Sequence, residues 1–138
     1  MTETAATVLD GLDAVRAAEG THLGWSDWIE IDQERVDRFA AATGGPATAD
    51  GWLTLALTNL FMPQIVEVRG VSMGVNYGTA EVRFPSPVQV GSRIRGGGEL
   101  VEVTDVGDGV QTRIRITVEL EGSDAPACVV DALSRWLP

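Results

Sequence analysis

The stretch from Gly51 to Met62 is the most apolar part of the chain and limits the possible folds most strongly. Its apolar side chains cover nearly the whole circumference of a helix; they are Trp52, Leu53, Leu55, Ala56, Leu57, Leu60 and Phe61. A helix that is apolar all round is expected to be buried on almost all sides, so the rest of the chain has to wrap around it. Asp50 stands where an N-cap belongs, and Pro63 stands where the helix is expected to end.

The chain after Pro63 predicts antiparallel strands rather than further helices. Between residues 110 and 120, polar side chains alternate with Val, Ile and Leu, which predicts a strand with one buried and one solvated face. Turn sequences at 105–109 (DVGDG) and 121–124 (EGSD) predict hairpins. The predicted strands are 65–76, 79–84, 92–104, 110–120 and 127–136. We therefore expect one α+β fold, in which a curved antiparallel sheet of about five strands wraps a long central helix.

Residues 1–20 predict a helical leader ahead of the main domain, which we place at 21–138. Between residues 4 and 18 the apolar side chains recur at helical spacing, as Ala5, Val8, Leu9, Leu12 and Val15. Gly20 is expected to end this amphipathic helix.

A strand and a second helix are predicted between the leader and the apolar helix. The strand-like sequence runs from Trp28 to Ile31. Asp32 can cap a helix that ends at Gly44. The inner face of that helix would carry Val36, Phe39 and Ala40.

The charge of the chain excludes several classes of partner. The formal net charge is -10, and every basic residue is Arg. Such a charge disfavours nucleic acid and favours a small or apolar ligand. No apolar run approaches the ~18 residues of a membrane span, and no targeting segment is recognisable. We therefore expect no membrane partner. Because the lone Cys128 cannot form an internal disulfide, we also expect the protein in a reducing cytoplasm.

Five segments, taken in order, resemble the MaoC-like family of hotdog-fold hydratases and dehydratases. They are 23–28 (LGWSDW), 36–44 (VDRFAAATG), 51–57 (GWLTLAL), 73–78 (MGVNYG) and 82–95 (VRFPSPVQVGSRIR). The resemblance implies a single hotdog domain, an acyl- or polyketide-like substrate, and no cofactor or metal. It also implies a homodimer, because hotdog domains pair their sheets edge to edge and an unpaired edge promotes aggregation.

The chain departs from the family pattern where the catalytic Asp and His are expected. In the family, a long loop carrying these two residues follows the helix that ends near Gly44, and the pair exchanges protons during hydration. Here only residues 45–50 separate Gly44 from Gly51, so we predict that the catalytic loop is deleted. The one histidine, His22, lies upstream of the matched segments, where we expect a surface position.

Asp50 and Gly51 are the candidate catalytic residues. The resemblance places Asp50 where the family has its second His, and Gly51 at the glycine whose backbone N–H polarises the thioester carbonyl. Asp50 can be a helix cap only, or also a general acid or base. Gly51 can let a substrate oxygen approach the helix amides, or can simply suit a tight helix start.

Five further residues are candidates for substrate binding. Trp25, Trp28 and Trp52 either form a stacking wall for a flat or polyunsaturated ligand or belong to the core. Asn76 and Tyr77 either line the pocket or satisfy neighbouring backbone groups.

The leading functional hypothesis is a repurposed biosynthetic enzyme with lyase- or cyclase-type chemistry. Holding a reactive conformer can promote a cyclisation, an elimination or a conjugate addition without the hydratase pair. The alternatives are a non-catalytic subunit or acyl-ligand binder that supports an active hydratase, and a residual hydratase that uses Asp50 with a group from another chain. Arg83, Arg93 and Arg95 are the nearest phosphate-binding set for a carrier arm, but exposed strand faces explain them equally well.

Overall fold

The computed structural model describes residues 5–138 as an α+β fold in which an antiparallel sheet packs on a broken central helix. The helices are α1 (Leu12–Ala17), α2 (Gln33–Thr43), α3 (Gly51–Ala56) and α4 (Thr58–Ile65). The strands are β1 (Thr7–Asp10), β2 (His22–Trp25), β3 (Ile29–Glu30), β4 (Val66–Arg69), β5 (Met73–Arg83), β6 (Arg93–Val106), β7 (Gly109–Leu120) and β8 (Cys128–Leu137).

The main sheet has the strand order β2-β6-β7-β8-β5, and β3 adds to it by pairing with β6. All of these pairings are antiparallel. The predicted α+β architecture is therefore confirmed, with a 6-stranded sheet where about five strands were expected. The predicted interruption at residues 77–78 is wrong, because β5 is continuous there. The chain turns earlier, at Gly70, which adopts a φ of 70°.

The central helix is interrupted at Leu57, which separates α3 from α4. Leu53, Phe61 and Ile65 are buried on its inner side. The prediction that this helix is buried on almost all sides is wrong for the single chain, since Trp52 is 67% exposed and Leu60 is 40% exposed. The reason is that the sheet covers one side of the helix, and the opposite side keeps its apolar residues at the surface.

The predicted helix end at Pro63 is also wrong, because α4 continues through Pro63 to Ile65. A proline in a helix cannot donate to the carbonyl four residues earlier, here that of Asn59. Asn59 is exposed, so water can reach that carbonyl. Complete burial of Phe61 and Ile65 on either side of the proline offsets the lost hydrogen bond.

Three consecutive glycines in β6 set the distance between the sheet and α4. A Cβ at Gly96 would come within 2.8 Å of Phe61, and one at Gly98 would come within 2.9 Å of Ile65. A Cβ at Gly97 would instead overlap the ring of Trp25. Because successive residues of a strand point to opposite faces, Trp25 lies on the face of the sheet that is turned away from α4.

The predicted amphipathic helix over residues 4–18 is wrong in its first half. Thr7–Asp10 form β1, which pairs in parallel with β4, and only Leu12–Ala17 are helical. Gly11, with a φ of 90°, separates the strand from the helix. Residues 1–4 of the predicted leader lie outside the described residues.

The second helix agrees with its prediction. Asp32 caps α2, and its side chain accepts a hydrogen bond of 2.8 Å from the backbone N–H of Arg35. Gly44 ends the helix in the left-handed conformation, with a φ of 78°. Val36 is buried on the inner face as expected.

Cys128 begins β8 and is fully buried. Burial raises the pKa of its thiol to about 11, because the charged thiolate would lose its hydration. Over residues 5–138, none of the helices has the length and apolar character needed to span a membrane.

Candidate functional site

Asp50 and Gly51 lie together at the start of α3, on the rim of a cleft of about 290 Å³. The other residues that line this cleft are Ala49, Thr54, Phe84, Ser86, Pro87, Val88 and Ala127. The cleft is therefore mostly apolar, with the Asp50 carboxylate and the hydroxyl-bearing residues Thr54 and Ser86 as its polar groups. Such a lining suits an apolar chain with a few polar atoms.

The Asp50 side chain acts as a helix cap. Its Oδ1 accepts a hydrogen bond of 3.0 Å from the backbone N–H of Leu53, as the sequence predicted for a cap. Both Asp50 and Gly51 are half-buried, so a ligand in the cleft can reach them. Whether the carboxylate also exchanges protons with a substrate stays a prediction.

Phe84 closes over the backbone of Gly51. A Cβ at Gly51 would come within 2.9 Å of three ring carbons of Phe84. The ring is 42% exposed, and it meets the indole of Trp52 edge to face, with 6.2 Å between the ring centroids. Sequence reasoning did not single out Phe84, although it lies in the matched segment at 82–95, because nothing in the local pattern shows that this segment folds onto α3.

Trp25 and Trp28 are separated from the Asp50 cleft by the sheet. The guanidinium of Arg95 lies 4.4 Å from the ring centroid of Trp25 and 4.8 Å from that of Trp28. Arg95 and Gly97 point to the same face of β6, which is the face turned away from α4. The predicted three-tryptophan set is thus not brought together, and only Trp52 lies beside the candidate catalytic residues.

Asn76 and Tyr77 lie in the middle of β5, at the edge of the sheet, and both are exposed. The guanidinium of Arg135 covers the ring of Tyr77, 3.7 Å from its centroid. Neither residue is among those that line the Asp50 cleft of the single chain. Their predicted role in substrate binding therefore depends on what covers β5.

His22 is exposed on β2, which agrees with the predicted surface position. Its Nδ1 accepts a hydrogen bond of 3.1 Å from the backbone N–H of Gly24, and its ring centroid is 4.8 Å from that of Trp25. His22 and Trp25 share a hollow of about 230 Å³ on the outer face of the sheet, which has no lining residue in common with the Asp50 cleft. An imidazole and the Asp50 carboxylate therefore do not meet within one chain.

The three arginines considered as a phosphate-binding set are each paired with a carboxylate. Arg83 bonds Glu81 at 2.6 Å, Arg93 bonds Glu121 at 2.7 Å, and Arg95 bonds Glu119 at 2.8 Å. These pairs agree with the alternative explanation of charged side chains on exposed strand faces. Within residues 5–138, no group of three or more His, Cys, Asp or Glu side chains is arranged to hold a metal ion.

One buried carboxylate lies elsewhere on the outer face of the sheet. The Asp131 side chain is 3% exposed and receives hydrogen bonds from Arg113 at 2.7 Å and Arg115 at 2.8 Å. These bonds, first of all that from Arg115, hold the pKa of Asp131 below its usual value, although burial opposes them. The arrangement is a cross-strand ion-pair network between β7 and β8.

No protein-family model matches the chain. The 3-hydroxyacyl-thioester dehydratase Z of Mycobacterium tuberculosis is 43% identical over 139 residues, which cover 88% of this chain and 92% of that protein. The MaoC-like dehydratase from Rhodospirillum rubrum has a similar structure, with a TM-score of 0.67 at 16% identity over 87% of this chain and 92% of that chain. The (R)-hydratase from A. caviae involved in PHA biosynthesis has a TM-score of 0.66 at 18% identity, over 84% of this chain and 96% of that chain.

The high identity to the mycobacterial dehydratase extends over most of both chains, and the two solved structures share the fold. The chain therefore belongs to the MaoC-like hotdog family of hydratases and dehydratases.

Proposed function

We propose that this chain is a repurposed MaoC-like enzyme, which acts on an acyl- or polyketide-like small molecule without the hydratase Asp/His pair. The substrate occupies the cleft at Asp50 and Gly51, and the reaction is a cyclisation, an elimination or a conjugate addition. The observation that carries the proposal is the position of His22, the single histidine of the sequence, on the face of the sheet turned away from the helix. Hydration of an enoyl thioester needs a proton acceptor and a proton donor at one water molecule.

The comparison with the mycobacterial dehydratase supports the predicted deletion. The alignment is 139 positions long, but it includes only 88% of the 138 residues of this chain, which is about 121 residues. About 18 positions of the alignment therefore have no counterpart in this chain. Between α2 and α3 the chain has only residues 44–50, which is where the catalytic loop was expected. We propose that the unmatched positions fall in this connection.

The cleft retains features that suit an acyl substrate. Phe84, Val88 and Ala127 supply apolar contacts, and Thr54 and Ser86 supply hydroxyl groups. Gly51 has no side chain to keep a substrate oxygen from its backbone, although Phe84 occupies that approach in this structure. A ligand that displaces the Phe84 ring would meet the backbone of Gly51 and the Asp50 carboxylate together. Asp50 is the carboxylate best placed to move a proton there.

The decisive experiment compares binding with turnover for a panel of thioesters. We expect no hydration of crotonyl or longer enoyl-CoA thioesters, and a turnover above ~1 per second would overturn the proposal. Longer 3-hydroxyacyl and polyketide-like thioesters are then incubated with the chain and examined by mass spectrometry. Loss of water from a 3-hydroxyacyl thioester would also overturn the proposal, because this step is enoyl hydration in reverse and needs the same proton acceptor and donor. Loss of water from a polyketide-like thioester marks another elimination, and a product of unchanged mass with a new retention time marks a cyclisation or an intramolecular addition. Binding without conversion of any thioester would favour the non-catalytic subunit or acyl-ligand binder.

We further propose that the chain forms a homodimer through β5. This 11-residue strand lies at the edge of the main sheet, and all of its residues except Val82 are exposed. Met73 and Tyr77 on it are 54% and 56% exposed, which is unusual for an apolar sheet edge left in water. Pairing of two β5 strands would cover this edge and bring Asn76 and Tyr77 to the subunit boundary.

The dimer is tested by light scattering at micromolar concentration. Val75→Pro in the middle of β5 would block pairing of this edge and is expected to give a monomer. Val90→Pro changes another exposed apolar residue outside the strands, so its mass should stay that of the parent. A monomeric parent chain would contradict the proposal.

A further inference from the structure

A second, larger cleft of about 430 Å³ lies between α2 and α3. Its apolar wall consists of Phe39, Leu53, Ala56 and Leu57. The α3 residues that line it differ from those that line the Asp50 cleft, which are Gly51 and Thr54. The two clefts therefore lie on different flanks of the same helix, and we call this second one the α2–α3 groove.

Four charged residues of α2 and its cap also line the α2–α3 groove, and three of them are already engaged. Asp32 accepts from the backbone N–H of Arg35 at 2.8 Å, and Glu34 accepts from the guanidinium of Arg38 at 2.6 Å. The guanidinium of Arg35 has no carboxylate, amide or aromatic partner among residues 5–138. Arg35 is half-buried as a whole residue, and it lines the groove together with the apolar wall.

This lack of a partner distinguishes Arg35 from the other arginines in the part of the chain that the structure describes. Eight of them contact a carboxylate, and Arg135 contacts Gln111 and Tyr77. The missing partner is not explained by a shortage of acids, because the net charge is -10 and Asp32 and Glu34 line the same groove without pairing with the Arg35 guanidinium. A guanidinium that lines a groove and keeps its donors unused is suited to bind an anion in two-point geometry.

We propose that the α2–α3 groove binds a medium-chain aliphatic carboxylate, with the carboxylate on Arg35 and the alkyl chain along Phe39, Leu53 and Leu57. One cation matches one carboxylate, whereas the strongly acidic chain disfavours a polyanion such as a nucleotide-linked carrier. The apolar wall supplies the contact surface for the alkyl chain. This ligand site is separate from the Asp50 cleft and does not depend on the proposed reaction.

The test is calorimetric titration of the full chain with decanoate, decanol and acetate. Decanoate should bind measurably below ~1 mM, whereas decanol lacks the charge and acetate lacks the chain, so each should bind at least about tenfold more weakly. Arg35→Gln should weaken decanoate about tenfold or more and leave decanol unchanged. Arg35→Lys should give a smaller loss, because the charge stays but the two-point geometry goes.

A second test blocks the groove with a bulky side chain and uses a matched control variant. Ala56→Phe would fill the groove from an exposed position and should abolish decanoate binding. Asn59→Phe adds the same ring at an exposed position of α4 that does not line the groove, and it should bind like the parent. Melting temperatures close to that of the parent verify that both variants are folded.

Three results would overturn the proposal. They are absence of decanoate binding to the parent, equal decanoate affinity of the parent and Arg35→Gln, and retained binding in Ala56→Phe. Light scattering on the Ala56→Phe variant adds a further one: a loss of oligomers relative to the parent and Asn59→Phe would assign the groove to a contact between copies of this chain. These experiments can be interpreted even if the thioester assays detect no reaction, because none of them measures turnover.

Discussion

The ring of Phe84 lies against Gly51 so closely that a Cβ there would come within 2.9 Å of three ring carbons. This contact connects the start of α3 to the segment after β5, and it forms one wall of the Asp50 cleft. Because Phe84 is 42% exposed, its ring can turn towards solvent without leaving a buried cavity. Phe84 therefore covers the backbone of Gly51 on the side of the Asp50 cleft.

Gly51→Ala tests this relationship. We expect the new methyl group to displace the Phe84 ring while the free energy of unfolding changes by less than ~1 kcal/mol, because the ring has somewhere to go and Ala favours helix. Ring displacement is measured from the Phe84 chemical shifts. The double-mutant cycle is completed by making Gly51→Ala in the Phe84→Ala variant, where no ring is left for the new methyl group to displace. There Gly51→Ala should not change the structure around residue 51. A loss of several kcal/mol for Gly51→Ala alone would mean that the ring is fixed.

Gly97 provides a second test of close packing, on the outer face of the sheet. An added Cβ would overlap the ring of Trp25, which also stacks on Arg95. We expect Gly97→Ala to lower the free energy of unfolding by about 1–3 kcal/mol, as overpacking does. Gly78→Ala is the matched control, because Gly78 also lies in a strand but a Cβ there meets nothing within 4 Å. The free energies of unfolding of both variants are measured by chemical denaturation. Equal values for Gly97→Ala and Gly78→Ala would show that the Trp25 ring can move aside without a loss of stability.

The sequence predicted the fold better than it predicted the site. Asp32, Gly44 and Asp50 were assigned correctly because capping depends on residues that are neighbours in the chain. The place of Trp25 was not predictable, because the register of β2 along β6 decides which face of the sheet Trp25 occupies. The same holds for Phe84, which reaches Gly51 across many intervening residues.

The early helix prediction failed for a related reason. The segment Thr7–Asp10 has residues at helical spacing, but its parallel pairing with Val66–Arg69 brings together parts of the chain that are far apart in sequence. Tertiary pairing of this kind overrides local helical spacing. The exposure of Trp52 and Leu60 likewise depends on which elements pack against the central helix, and the composition of the helix does not determine this.

Asp131 should make the stability of the fold sensitive to acid. Its two arginine partners lower its pKa in the folded state, so its stabilising contribution is present above the usual aspartate pKa and is lost as pH falls through the lowered value. Asp131→Asn should cost about 2 kcal/mol at pH 7, less than a fully buried pair, because Arg113 and Arg115 are 34% and 42% exposed.

The measurement is the free energy of unfolding between pH 7 and pH 2. The parent should lose stability relative to Asp131→Asn as the pH drops below about 4, so that the two curves converge. Asp124→Asn is the control, because Asp124 is an exposed turn residue, and its curve should follow that of the parent. A constant difference between the parent and Asp131→Asn over this range would remove Asp131 from the acid response.

The Asp50 carboxylate can be a helix cap alone or a cap that also transfers protons, and two substitutions separate these roles. As a cap, Asp50 accepts from the backbone N–H of Leu53 at 3.0 Å, and an Asn amide oxygen can accept the same bond. Asp50→Asn should therefore keep the parent's melting temperature, whereas Asp50→Ala should cost ~1 kcal/mol. If the carboxylate also moves a proton, Asp50→Asn should lower turnover on the thioester found in the panel by about a hundredfold or more. An Asn variant with the parent's stability and the parent's turnover would leave the shape of the cleft, rather than proton transfer, as the source of catalysis.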